Sequence, residues 1–219
     1  MRWMIPLFNG GKAAGSAVKF SKFYLVVDPS LGSAETINAT LKQFQINLRK
    51  QMASVKGGEA AFKADQGDTM FNAYSSINEC FKQIEDALAA AAPKGTEKPQ
   101  TAESGKLSQM SNATLKPIKI GINCDANTLF NKDPKEPNKY EVDGAKGQST
   151  SQQLQEYYLK LIQDHPLLCY LEDAFADADA EGFRTFKRML ARKAPYVQLG
   201  VQVKSIEQLQ QATQFEELD

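Results

Sequence analysis

The chain has 219 residues, of which 42% are hydrophobic and 24% are charged, and its 26 basic residues balance its 26 acidic ones. This composition is typical of one globular domain with a sizeable core. Zero net charge argues against a broad phosphate-binding surface, because affinity for nucleic acid rests largely on clustered lysine and arginine. No apolar run approaches the length of a membrane span. The three widely spaced cysteines, Cys80, Cys124 and Cys169, match neither a disulfide framework nor a zinc pattern, which favours a reducing compartment.

The chain opens with two short apolar segments that have strand character. The first ends at the turn signal of residues 9–11, and the second, residues 20–27, is rich in aromatic and β-branched side chains. Together they predict an opening hairpin-like pair. Two amphipathic helices are predicted next, from about Ser33 and about Ser76, because apolar residues recur at three- and four-residue steps. Ser76 has capping-box spacing with Glu79.

A polar segment, residues 93–116, interrupts this pattern and is interpreted as a mobile loop or insertion. Three strand–helix units are predicted after it, with strands at about residues 117–123, 167–171 and 196–199. Their helices follow Thr150, the second strand and Ser205. Alternation of this kind predicts a parallel sheet with outer helices, which winds into an open sheet or part of a barrel. We treat residues 1–219 as one domain.

Seven short motifs decide between an open sheet and a barrel by their order along the chain. Residues 9–15, 21–23, 64–68, 121–126, 140–142, 171–175 and 199–203 resemble NGGSHAG, QEF, GDEGG, GMDVAA, YDL, IEDPF and VGDDL in turn. These are segments of enolases, and their order and approximate spacing cover nearly the whole chain. The resemblance implies a partial enolase-type TIM barrel of class α/β, in which an opening β-hairpin precedes helices and βα units. It also implies that the family's N-terminal domain and later barrel strands are not part of this chain.

Enolases abstract a proton next to a carboxylate, and magnesium ions neutralise the charge that develops. The resemblance implies that three carboxylates at successive strand ends would hold the first magnesium. Only Glu172 remains, because the other two positions are Asn123 and Val201. Asp125 lies two residues after Asn123, and a continuing strand would return it to the same face, where it could replace a lost ligand. We do not expect such a rescue, and we predict no metal site and no cofactor.

The acid–base positions differ even more from the family pattern. By the same resemblance, the family's loop histidine is Ala13 and its two glutamates are Lys22 and Gln66. The base lysine would fall after residue 219. Loss of one acid or base typically costs about 10²- to 10⁴-fold in rate. Several such losses predict an enolase-like pseudoenzyme without catalytic residues.

The remaining polar candidates are interpreted as structural. They are the strand-end acids Glu172 and Asp173, the helix-start acids Asp177, Asp179 and Glu181, the single His165, the buried Cys124, and the helix-face cations Lys42, Arg49, Lys50 and Lys56. Acidic side chains are favoured where a helix begins, and free cysteine packs readily in a core. Lys12 and Lys22 remain a candidate pair for holding an anion.

Three functions stay open at this point. The first is a catalytically inactive protein that acts as a structural or scaffold subunit of a larger assembly. Among enolase relatives, the pattern looks most like the divergent enolase-like proteins of sperm and cilia. That resemblance implies a cytoplasmic place in the axoneme of a cilium or flagellum, in the central apparatus, with other protein subunits as partners. The charge balance and the absence of a long apolar run in the sequence predict neither nucleic acid nor a membrane as a partner. The alternatives are a module that binds a phosphorylated metabolite through Lys12 and Lys22, and a fragment of an active phosphopyruvate hydratase.

Overall fold

The fold is described from a computed structural model, which covers residues 2–11, 14–29, 32–62, 69–91, 118–131, 139–142, 148–203, 205–207 and 210. The strands in these ranges are β1 (Trp3–Asn9), β2 (Lys22–Val27), β3 (Met70–Phe71), β4 (Ile118–Asn123), β5 (Lys139–Glu141), β6 (Gln148–Thr150), β7 (Leu168–Glu172) and β8 (Gln198–Gly200). The helices are α1 (Ala34–Met52), α2 (Ile77–Ala91), α3 (Ala126–Leu129), α4 (Ser151–Asp164) and α5 (Ala180–Lys193). The predicted loop of residues 93–116 lies outside the described residues, as does most of the helix predicted from Ser205.

Six strands form one sheet in the order β3-β1-β2-β4-β7-β8. The first two strands pair antiparallel, which confirms the predicted opening pair. β4, β7 and β8 run parallel to one another, which confirms the three predicted strands, and α4 and α5 are the predicted helices of the first two units. β2 joins the two parts because it pairs antiparallel with β4. The same end of the sheet therefore contains the carboxyl ends of β1, β4, β7 and β8 and the amino end of β2.

The helices begin where their capping residues predict. The side chain of Ser33 accepts a hydrogen bond from the backbone N–H of Thr36 at the start of α1. Thr150 and Gln153 form a complete capping box at the start of α4. Such caps satisfy backbone donors that have no partner inside the helix. Within the described parts of the chain, no helix is both long and apolar enough to cross a bilayer.

An apolar layer between the sheet and the helices forms the core. Phe23 of β2 packs edge-on against Phe81 of α2, with ring centroids 6.1 Å apart. Further along the sheet, Tyr158 of α4 packs against Phe175 and Phe186. These side chains are no more than 5% exposed. We call this layer the helix-facing core.

Four small elements were not predicted from the sequence. They are strand β3, a 3-10 turn at Glu59–Ala61, the short helix α3, and the two-stranded sheet formed by β5 and β6. No helix or strand among them is longer than four residues, so none displays a hydrophobic period that a sequence pattern could register. The β5–β6 sheet still matters to the fold, because it places the fully buried Tyr140 beside α5.

Candidate functional site

One row of residues crosses the sheet at the end where these strand termini lie side by side. The backbone register pairs Asn9 with Lys22, Lys22 with Asn123, Asn123 with Glu172, and Glu172 with Gly200. Paired residues on neighbouring strands project to the same side of a sheet. We call these five residues the strand-end row. It brings together three of the positions singled out from the sequence: Lys22, Asn123 and Glu172.

Glu172 is the carboxylate of the row. Its Oε2 accepts a hydrogen bond from the Tyr24 hydroxyl at 3.1 Å, two residues along β2 from Lys22. Burial raises the pKa of Tyr24 above its usual range, and the adjacent charge of Glu172 raises it further. The hydroxyl therefore stays protonated at neutral pH and remains a donor to the carboxylate. The sequence analysis missed Tyr24, although strand alternation places it on the same face as Lys22.

Asn123 lies at the centre of the row and is only 2% exposed. Its Oδ1 accepts hydrogen bonds from the Ser21 hydroxyl at 3.0 Å and from the backbone N–H of Asp125 at 2.8 Å. Its Nδ2 donates to Oδ2 of Asp173 at 3.2 Å. Both polar atoms of this buried amide are thus satisfied inside the protein, as burial demands.

Asp173 follows Glu172 but turns to a different set of partners. Its Oδ1 accepts from the backbone N–H of Gln202 at 2.7 Å. The backbone of Asp173 has φ of 49° and that of Asp125 has φ of 46°, so both residues leave their strands in the left-handed conformation. For Asp125 this overturns the idea of a continuing strand, because β4 ends at Asn123. Asp125 instead precedes α3, and its carbonyl accepts from Thr128.

The residues at the three family positions for the first magnesium do not fit that ion. Magnesium requires octahedral oxygen ligands, which enolases supply mainly as carboxylates. Here Glu172 supplies one carboxylate, Asn123 has already committed its oxygen to two donors, and Val201 has no side-chain oxygen. Among the described residues, no group of three or more His, Cys, Asp or Glu side chains could hold a metal ion.

The acid–base positions are only partly described. Lys22 is exposed and stands in register between two asparagines, where the resemblance expects a glutamate. Ala13, Gln66 and Lys12 lie outside the described residues, so their predicted roles stay predictions. The lysine pair suggested as an anion site is likewise described only at Lys22.

The last strand of the row carries no functional side chain. A Cβ at Gly200 would collide with the hydroxyl of Tyr170, so the ring of that tyrosine requires glycine here. Burial raises the pKa of Tyr170 to about 12, and Glu172 contributes to the shift. Val201 and Gln202 follow, and both are exposed. Gln202 enters the site through its backbone N–H rather than its side chain.

Comparison with known proteins identifies the same family that the sequence motifs at these strand ends resemble. The family model for the C-terminal TIM barrel domain of enolase matches residues 3–216. The chain belongs to this family. Enolase of Methanococcus aeolicus is 27% identical over 187 residues, which cover 85% of this chain and 37% of that protein. Enolase of Mycoplasmopsis pulmonis is 26% identical over 202 residues, which cover 89% of this chain and 41% of that protein.

A third relative, enolase of Aeropyrum pernix, is 24% identical over 182 residues and is covered over 35% of its length. The chain thus spans well under half of the enolases it matches. The mixed sheet with its outer helices is consistent with part of an enolase barrel, which confirms the predicted fold class. The similarity to sperm and ciliary proteins stays a prediction.

The other polar candidates of this enolase-family chain lie away from the strand-end row. Asp179 caps α5, as its position at a helix start predicts, and is 4% exposed. Its carboxylate also accepts from the hydroxyls of Tyr140 and Ser151, contacts that no sequence pattern indicated. The cations Lys42, Arg49, Lys50 and Lys56 are exposed, as expected for a solvated face.

His165 and Cys124 are buried. The imidazole of His165 stacks on Phe81 with centroids 4.5 Å apart, and its Nδ1 lies 3.2 Å from the Glu85 carboxylate. It therefore packs against α2, as a structural residue would. Burial raises the pKa of the Cys124 thiol well above its usual range, so the thiolate that a nucleophile needs is disfavoured.

Proposed function

We propose that this chain is a non-catalytic enolase-type barrel that serves as a structural or scaffold subunit of a larger assembly. The observation that carries the proposal is the composition of the strand-end row. Enolase chemistry needs a cluster of carboxylates that holds magnesium beside the reacting carbon. The described family positions hold one carboxylate, one buried amide that is hydrogen-bonded at both its oxygen and its nitrogen, and one exposed lysine.

The charge at Lys22 supports the same conclusion. A lysine replaces the expected glutamate directly beside Asn123 in the register. An ammonium group offers no oxygen to a metal ion and cannot take the place of a carboxylate as an acid–base group of the family. Loss of one acid or base typically lowers turnover by about 10²- to 10⁴-fold. The altered residues therefore remove both the cation and the acid–base groups that use it.

The scaffold role is supported by the edges of the sheet. Among the described residues, the six-stranded sheet ends at the short strands β3 and β8 rather than closing on itself. Unpaired strand edges invite pairing with further strands. We propose that other protein subunits, or further segments of a longer chain, complete this sheet. The cytoplasmic and axonemal location inferred from sequence resemblance is part of the same proposal.

Turnover is the direct test of the catalytic part. The full-length gene product is assayed for conversion of 2-phosphoglycerate to phosphoenolpyruvate with magnesium, beside the Methanococcus aeolicus enolase as a positive control. We expect turnover at least about 10⁴-fold below the control, because more than one acid–base group is altered. Turnover within the range of ordinary enolases would contradict the proposal and favour an active fragment.

Native purification tests the scaffold part. The tagged protein is isolated from its own cells at low salt, and its companions are identified by mass spectrometry alongside an untagged control. We expect a large assembly with a defined set of protein subunits, and axonemal proteins among them would support the proposed location. A folded monomer whose melting temperature rises with phosphoglycerate would instead favour the metabolite-binding alternative, since a ligand of the folded state stabilises it.

A further inference from the structure

The Asn123 amide connects the ends of three neighbouring strand segments. Ser21 precedes β2, Asn123 ends β4 and Asp173 follows β7, and all three are joined side chain to side chain. The chain after β8 joins the same group through the backbone N–H of Gln202. We call Ser21, Asn123, Asp173 and Gln202 the strand-end latch. It spans four of the six strands in the sheet.

The chemistry of the partners fixes the orientation of the amide. The backbone N–H of Asp125 can only donate, so the atom 2.8 Å away from it must be the oxygen of Asn123. The nitrogen then faces the Asp173 carboxylate, which can only accept when ionised. The Asp173 carboxylate thereby receives one hydrogen bond on each oxygen, both from neutral donors. Neither of these two donors carries a charge.

A carboxylate at position 123 would reverse this arrangement. Its oxygen would face Oδ2 of Asp173 across the 3.2 Å that now separates donor from acceptor. Two carboxylates at that distance repel each other, so they need either a cation or a shared proton between them. Lys22 lies next to Asn123 in the register, but its side chain is exposed, and an exposed ion pair contributes little. A carboxylate at position 123 would therefore depend on a bound cation or proton, whereas asparagine supplies an N–H of its own.

We propose that the side chain of Asn123 takes the place of a cation in holding these strand ends together. The N–H group supplies the positive partner that the Asp173 carboxylate needs, so the latch is independent of divalent metal. The inference rests on the proposed function, because it assigns a stabilising role to residues that no longer serve catalysis. It goes beyond that function in predicting which single change would make the fold dependent on a metal.

Thermal unfolding of the Asn123→Asp variant of the full-length protein tests the latch. In metal-free buffer at neutral pH, we expect the melting temperature to fall by about 5 °C or more, because a buried hydrogen bond becomes a repulsion. Millimolar MgCl2 should raise the melting temperature of this variant and leave the wild type unchanged. The matched control is Asn38→Asp, the same chemical change on the exposed face of α1, which should stay within about 1 °C of wild type.

The double variant Asn123→Asp/Asp173→Asn separates the latch from general damage. It exchanges donor and acceptor, so one N–H again faces one carboxylate, and asparagine tolerates the left-handed backbone of position 173. We expect it to recover most of the lost melting temperature without magnesium. If Asn123→Asp were merely disruptive, the second substitution would instead increase the loss of melting temperature.

Four results would overturn the proposal. They are an Asn123→Asp variant as stable as Asn38→Asp, a double variant no more stable than the single one, a single variant that magnesium does not stabilise, and a wild type that magnesium stabilises equally. None of these measurements depends on turnover. Failure of the latch and failure of the proposed non-catalytic function are therefore distinguished by different experiments.

Discussion

The helix-facing core and the strand-end row lie within a few residues of each other on the same strands, but different forces stabilise them. The core consists of buried apolar and aromatic side chains such as Phe23, Phe81 and Phe186, and its stability follows from close packing and the area removed from water. The strand-end row consists of polar groups whose stability depends on matched charge and hydrogen bonding. The difference teaches that one sheet can be stabilised by apolar packing on its helix-facing side and by matched hydrogen bonds at its strand ends.

Removal of a core side chain should have the largest effect. Phe81 is fully buried between Phe23 and His165. We expect Phe81→Ala to lower the free energy of unfolding by about 3–5 kcal/mol, because it loses burial and leaves a cavity. Denaturant unfolding measures this, with Ile46→Ala as the control on the exposed face of α1. Equal stability of the two variants would break the distinction between core and surface.

Alkaline pH should destabilise the core next. Burial raises the pKa of Tyr74, Tyr140 and Tyr158, while the unfolded chain keeps the ordinary value near 10. The stabilisation is complete below about pH 10 and is lost as pH rises further, at about 1.4 kcal/mol per pH unit for each tyrosine. Phenolate absorbance and circular dichroism should change together. Phenolate formation in the folded protein near pH 10 by these three residues would contradict the expectation.

The buried carboxylate of Asp179 offers a polar site inside the core for comparison with the strand-end row. It accepts hydrogen bonds from Tyr140, Ser151 and the backbone N–H of Gly182. We expect Asp179→Asn to cost about 2–3 kcal/mol, because an amide presents an N–H to one of three donors. Thermal unfolding measures the cost, and Asp177→Asn, an exposed acid on the same loop, is the control. An effect no larger than that of the control would show that water replaces these contacts.

The smallest effect should come from the rim of the strand-end row. Tyr24→Phe removes the hydroxyl that donates to Glu172. Because Glu172 is partly exposed, water replaces the lost donor, and we expect a cost of about 1 kcal/mol or less. Tyr170→Phe, two residues before Glu172 on the same face of the sheet, is the control, and denaturant midpoints compare the two. A cost above that of Asp179→Asn would mean that Glu172 is a buried charge after all.

The sequence predicted the larger elements because their signals are local. Ser33 and Thr150 cap helices through side chains that reach only three residues along the chain. The hydrophobic patterns of strands, with a period of two residues, and of helices, with a period of about 3.6, likewise depend on neighbours in the sequence. The motif order predicted the family, and the family model over residues 3–216 confirmed it. The short strands β3, β5 and β6 were missed because their pairing depends on distant partners.

The site was predicted by position but not by its contacts. The motifs located Lys22, Asn123, Glu172 and Val201, and the register placed the first three side by side. The bond between Asn123 and Asp173 joins residues 50 apart, and that between Asp173 and Gln202 joins residues 29 apart. The left-handed turn after β7, which gives Asp173 different partners from Glu172, has no signature in the residue order.

The sequence by itself determined the family and the apolar stripes of the helix-facing core, and it predicted a loss of charge at two of the family's three magnesium positions, because these inferences depend only on residue type and local spacing. Only the tertiary structure decided what the altered residues do. It joined Ser21, Asn123, Asp173 and Gln202 into one latch, and it tied Glu172 to Tyr24. The physical reason is that hydrogen bonds between strand ends depend on register and backbone turn, which arise only when the whole sheet is assembled.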